Sequence, residues 1–179
     1  AAGPDDPAMG EWKTYGNAPG GNRYSPLDQI TPSNVGALKE AWRYSLGKEP
    51  NGEPAPFQAT PLKINDKLYF CTGYNDIIAL DAETGKQAWR FVSHTNADGI
   101  FGQTCRGVTY YKRPDVEPNS VCAEQIYTAT IDSRMLSVDA KTGEACEAFG
   151  DNGAVNLLTG MSDAPTGYYH VTSPATLID

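Results

Sequence analysis

Ala79-Leu80-Asp81-Ala82-Glu83-Thr84-Gly85-Lys86 is answered 58 residues later by Ser137-Val138-Asp139-Ala140-Lys141-Thr142-Gly143-Glu144. In both copies an apolar run ends in Asp-Ala-x-Thr-Gly, where the Asp side chain can bond the turn backbone and Gly supplies a positive φ. Working outward, each copy follows two strand-like runs, Leu62 to Ile64 and Lys67 to Cys71 in the first, Val108 to Tyr111 and Gln125 to Ala129 in the second. Ile77 to Leu80 and Met135 to Val138 are the third strands, and the turn leads into a fourth that carries Trp89 in the first copy.

Four-stranded antiparallel units of about 40–45 residues in tandem are the mark of a β-propeller. The second unit is lengthened by an insertion at Asp115 to Val121, and the Gly/Asn/Asp-rich segment Ser93 to Gly102 joins the units. Upstream, Pro32 to Leu38 predicts one helical turn capped by Ser33 or Asn34, and Ala41-Trp42-Arg43-Tyr44 a lone outer strand. Downstream, Thr172 to Asp179 predicts the first strand of a further unit. The expected organisation is an all-β, partial propeller domain over 1–179: an N-terminal segment and closing strand at 1–46, a first blade at 57–92, a second at 105–150, and the first strand of a third at 171–179. Two blades with single strands of the flanking ones cannot close a ring, so the chain is expected to be part of a longer propeller and inactive alone.

The composition narrows the class of partner. Of 179 residues 40% are hydrophobic, enough for a packed core, and 14 Lys+Arg against 22 Asp+Glu give a net charge of −8. Such a chain repels phosphate backbones, so no nucleic acid is expected. Ala1 to Pro7 has neither the basic start nor the apolar run of a signal peptide, so a leader or anchor is expected elsewhere. Cys71, Cys105, Cys122 and Cys146 form no CxxC pair and only His94 and His170 accompany them, which argues against a zinc site. The even count is compatible with one or two disulfides or with free buried thiols. Neither histidine has an acid or nucleophile at recognisable spacing.

Asp81 to Trp89 resembles the tryptophan-docking repeat of the pyrroloquinoline quinone (PQQ) dependent dehydrogenases. Trp12-Lys13-Thr14-Tyr15-Gly16-Asn17 and Arg23-Tyr24-Ser25-Pro26-Leu27 resemble their opening. Cys105-Arg106-Gly107-Val108-Thr109-Tyr110-Tyr111, Phe149-Gly150-Asp151-Asn152-Gly153 and Gly167-Tyr168-Tyr169 are most similar to the membrane-bound glucose, quinate/shikimate and polyol branch. The resemblance implies an eight-bladed propeller with PQQ and a calcium or magnesium ion near its axis. PQQ carries three carboxylates and an ortho-quinone, so its site needs guanidinium, hydroxyl and amide groups. The resemblance places its binding arginine at Arg106, with Gln58, Thr172 and Ser173 as further contacts. Gln58 departs from the glutamate that relatives often carry; an amide can still bond a carboxylate or quinone oxygen. Trp42, Trp89 and Tyr127 are packing residues in this reading, and Glu147 occupies the second tryptophan slot.

In an up-and-down blade the start of the second strand and the start of the fourth share one end, which makes a Cys122–Cys146 bridge the expected pair. Cys71 and Cys105 fall at the opposite end, near the cofactor. The adjacent-cysteine disulfide of methanol-type relatives has no counterpart, because only Cys105 precedes Arg106. The mechanism the resemblance implies removes the substrate hydroxyl proton with an aspartate and passes hydride to the quinone C5, with the metal polarising the quinone. No catalytic base and no metal ligand is assigned within this chain; both are expected downstream of Asp179, and Asp132 and Asp163 are at best exposed-loop carboxylates. The implied activity is oxidation of a sugar, cyclitol or polyol hydroxyl in the periplasm, with attachment to the inner membrane through segments outside this chain and electrons passed to membrane ubiquinone. Phe101-Gly102-Gln103-Thr104 lacks the histidine that glucose-type relatives carry, which points away from glucose. The other class compatible with PQQ-like repeats is a non-catalytic assembly scaffold.

Overall fold

The computed structural model describes residues 10–18, 20–48, 52, 57–100, 102–161 and 167–178. Asp163, Phe101, Asp179 and the first residues, Ala1 to Pro7, lie outside that set. The chain forms two four-stranded antiparallel sheets in simple up-and-down order. The first contains β1 (Leu62–Ile64), β2 (Lys67–Cys71), β3 (Ile77–Asp81) and β4 (Gln87–Phe91). The second contains β5 (Thr109–Lys112), β6 (Glu124–Ala129), β7 (Arg134–Asp139) and β8 (Ala154–Asn156).

The strand run Ile77-Ile78-Ala79-Leu80 is buried on both faces, as expected where both sides of a sheet are covered. Ile77 and Ala79 join Leu62, Tyr69 and Trp89 against Val108, Ile126, Val138 and Ala140 of the second sheet, so a single core unites the two blades. Ile78 and Leu80 face the other way and pack with Phe70 beneath Trp42, Tyr44 and Leu46. The 41–44 segment therefore covers the first blade as expected, yet it forms no strand, because no ladder partner lies beside it among the described residues.

The repeated turn closes on itself. Asp81 Oδ1 accepts from the Thr84 amide at 2.8 Å and from its hydroxyl at 2.6 Å. The Thr84 hydroxyl bond holds the Asp81 carboxyl below the ordinary carboxylate range. Asp139 repeats the device with the Lys141 and Thr142 amides and adds a third bond, from the Cys122 amide. Gly85 and Gly143 have φ of 68° and 75° and each lies flat beneath an indole: a Cβ would come within 2.4 Å of Trp42 and 2.6 Å of Trp89 respectively. Trp42 Nε1 donates to Ala82 O at 3.3 Å and Trp89 Nε1 to Ala140 O at 3.1 Å, so each tryptophan docks on the turn of the next unit. Tyr69 adds its hydroxyl to Ala140 O, and burial pushes that phenol well above its ordinary pKa.

Several local expectations are corrected. The helical turn is a 3-10 turn at Val35–Ala37 with Asn34 at its N-cap, but no side chain caps it. Asn34 bonds backward instead, to the Thr31 amide and Gln29 carbonyl, a local competition common to Asn. The second sheet extends to Asn156, past residue 150. Residues 171–178 pair with no strand among the described residues and join the second blade through one backbone bond at Thr172 and a Thr109 hydroxyl bond to Ala175 O. No helix among the described residues is long and apolar enough to cross a membrane.

Candidate cofactor site

The backbone of Thr60, which leads into β1, donates to Arg106 O at 2.8 Å, and the Arg106 amide donates to Thr172 O at 2.9 Å. This rung ties three successive segments together side by side at one end of the blades. Arg106 extends its exposed guanidinium along the rung, with Nη1 donating to Thr172 Oγ1. Gln58, two residues before Thr60, is exposed at the same edge, and Ser173 is exposed beside Thr172. The structure thus brings Arg106 and Thr172 into contact, with Gln58 and Ser173 adjacent in sequence to the rung on either side.

The rung is braced from below. Cys71, at the end of β2, is bonded to Cys105, next to Arg106, with Cα atoms 6.0 Å apart and both side chains buried. This bridge joins the end of β2 to the segment that leads into β5, at the end of the blades where strand direction places both cysteines. Gly107 lies in ordinary contact with the neighbouring segments: a Cβ there would sit 3.4 Å from Tyr15 and 3.5 Å from Thr60 O. The N-terminal segment therefore packs onto the rung as well. Tyr15 supports the guanidinium of Arg23 at 4.5 Å, and Arg23 Nη2 lies 3.5 Å from Thr60 Oγ1. Thr60, Tyr15 and Arg23 were not legible as site residues, since the segments they occupy converge only in three dimensions.

Chemically, the edge offers guanidinium, hydroxyl and amide groups and no carboxylate among the side chains just named. That donor set fits a polycarboxylate such as PQQ. Among the described residues no group of three or more His, Cys, Asp or Glu could hold a metal ion.

Other polar residues are accounted for structurally. Asp132 is half-buried rather than exposed: it pairs with Arg134 at 2.9 Å and accepts from the Asn96 amide at 2.9 Å and the Thr130 hydroxyl. Burial works to raise its pKa, but the Arg134, Thr130 and Asn96 bonds outweigh burial and hold it below the ordinary carboxylate range. His94 is exposed in the inter-blade loop, and His170 Nδ1 lies 3.1 Å from Gly167 O. Cys122 and Cys146 are bonded, Cα atoms 5.8 Å apart. Their bridge lines a cleft of about 980 Å³ with Tyr111, Arg113, Tyr127 and Phe149. None of Gln58, Arg106, Thr172 and Ser173 lines it, so the large cleft and the candidate cofactor site are separate places.

The family model of the PQQ glucose/ethanol/alcohol dehydrogenase β-propeller domain matches residues 12–179. The glycerol dehydrogenase large subunit of Gluconobacter oxydans (strain 621H) is 38% identical over 177 residues, covering 97% of this chain and 24% of that protein. The quinate/shikimate dehydrogenase (quinone) of Acinetobacter baylyi is 40% identical over 196 residues, with 97% and 24% covered. In structure, the chain is similar to the quinohemoprotein alcohol dehydrogenase of Comamonas testosteroni, with a TM-score of 0.69 at 24% identity, covering 88% of this chain and 21% of that one. The chain spans about a quarter of the length of the curated relatives it matches.

Proposed function

The chain belongs to the PQQ β-propeller dehydrogenase family, and from that premise we propose that it supplies one wall of the cofactor site of an enzyme oxidising a sugar, cyclitol or polyol hydroxyl. The observation that carries this reading is the rung, which presents Arg106 and Thr172 as one donor pair at the blade edge. PQQ, when bound, supplies the two-electron oxidant. The residues of this chain bind and orient it. Arg106 offers a planar fork to a carboxylate, the Thr172 and Ser173 hydroxyls and the Gln58 amide bond further oxygens, and the Cys71–Cys105 bridge keeps Arg106 in register.

Calcium or magnesium would be held by carboxylates outside the described residues, as would the catalytic aspartate. The relatives named for glycerol and for quinate and shikimate support a polyhydroxy substrate. Two disulfides favour an oxidising compartment, consistent with a periplasmic domain that passes electrons to membrane ubiquinone.

The test uses the full-length protein: titration of the apoprotein with PQQ in the presence of calcium or magnesium, followed by absorbance, then turnover of glycerol, quinate and glucose with an artificial acceptor and with ubiquinone. Binding is expected, and Arg106→Ala should weaken it by about ten- to a hundredfold, the range of a charge-assisted hydrogen bond. A protein that neither binds PQQ nor turns over any of these alcohols is a scaffold, and this reading is wrong.

A further inference from the structure

We infer that Arg23 is a second anion-binding residue of the Arg106 site, so that two guanidinium groups hold two carboxylates of one polyanionic cofactor. The inference rests on the reading of the site given above.

The chain contains six arginines in a background of net charge −8. Arg43, Arg90, Arg113 and Arg134 each bond a carboxylate, at 2.7 to 2.9 Å, with Glu40, Asp76, Asp115 and Asp132. Among the described residues Arg23 and Arg106 bond none, although carboxylates are in excess. Each rests on a neutral threonine hydroxyl instead, Arg23 on Thr60 and Arg106 on Thr172. Those threonines are the two outer members of the rung whose centre is Arg106 itself. Among the described residues the two arginines that bond no carboxylate therefore gather at one edge. A guanidinium has five N–H donors, and a single hydroxyl satisfies one, so both forks remain open to a ligand.

Arg23 is also held in place. Its backbone has φ of 54°, a region that costs a non-glycine residue energy and marks sites where the surroundings impose a conformation. Its amide donates to Gly16 O at 3.0 Å, the next carbonyl, Tyr24 O, accepts from Asn17 Nδ2 at 2.6 Å, and the guanidinium stacks on Tyr15, which itself packs against Gly107. A guanidinium restrained this way loses little entropy on binding a carboxylate, and the second positive charge strengthens the field at the first.

The experiment titrates full-length apoprotein with PQQ and with its trimethyl ester, which keeps the ring and removes the three negative charges. Arg23→Gln is expected to raise the Kd for PQQ about tenfold, the value of one charge-assisted bond, with Arg23→Lys restoring part of it. The same substitution should change ester binding by less than twofold and leave the Tm of the apoprotein unchanged, which a merely structural role would not. PQQ binding by Arg23→Gln within twofold of wild type, while Arg106→Gln is weakened, overturns the inference and leaves the site assignment standing. Failure of wild type to bind PQQ overturns both. Should Arg23→Gln not fold, Arg23→Met decides: it keeps the aliphatic stem against Tyr15 and removes the charge, and unchanged PQQ affinity in it also overturns the inference.

Discussion

In the first blade β4 runs beside β3 from Gln87 to Phe91 and delivers Trp89 to the neighbouring turn; in the second the chain leaves the sheet just where that tryptophan would be. Ser137 is the counterpart of Ala79, the residue opposite Trp89. Its carbonyl accepts from Cys146 N and its amide donates to Gly153 O, so both sides of Ser137 are satisfied while residues 147–152 loop out between them. β8 then pairs with the far end of β7. The loop turns back through positive φ at Gly150, Asn152 and Gly153, and a Cβ on Gly150 would fall 2.1 Å from Ala154 O. Glu147 is thus no simple replacement of a tryptophan. The strand that would have carried one is split, and the Cys122–Cys146 bridge ties the split strand back to the start of β6. Two copies of one repeat have reached cohesion by different physics, burial of an indole in one and a covalent staple in the other.

This contrast can be broken at each of its members. Trp89 is 9% exposed, and its loss leaves an unfilled volume and removes one of the two donors to Ala140 O, Tyr69 being the other. Trp89→Ala should cost about 3–5 kcal/mol in urea unfolding, against a smaller loss for the half-buried Trp42→Ala and almost none for Glu147→Ala. An equal cost for Trp89→Ala and Glu147→Ala would abolish the distinction between the blades.

Cys122→Ser with Cys146→Ser, which opens a bridge closing a sequence separation of 24, should cost about 3 kcal/mol by loop-closure entropy. Calorimetry under non-reducing conditions reads this directly. A loss under 1 kcal/mol would mean that the loop at 147–152 is held by its backbone bonds alone.

The smallest effect concerns pH. Asp132 has a folded-state pKa below its unfolded value of about 3.9, so its stabilising contribution is present above that value and is lost as pH falls through the folded pKa. Acid titration of stability should therefore be shallower below about pH 4 in Asp132→Asn than in wild type. The same slope in both would show that the pair with Arg134, which also reaches Ser93 O between the blades, contributes little linkage.

What the sequence alone determined is the blade and its turn. Short apolar runs specify the strands, and Asp81 finds Thr84 only three residues away, so the hairpin is written locally and repeats wherever the motif does. The arginine in Cys105-Arg106-Gly107 stood out because resemblance and charge chemistry agree on it. The tertiary structure alone decided which groups meet it. Cys71 reaches Cys105 across a separation of 34, Arg23 reaches Thr60 across 37, and Arg106 reaches Thr172 across 66. No periodicity encodes contacts at such separations; they exist because the blades and the N-terminal segment pack against one another and bring their ends to one edge. The split of the fourth strand has the same origin, since residues 147–152 leave the sheet only because Cys146 and Gly153 can both bond Ser137, a choice made between strands and not within one.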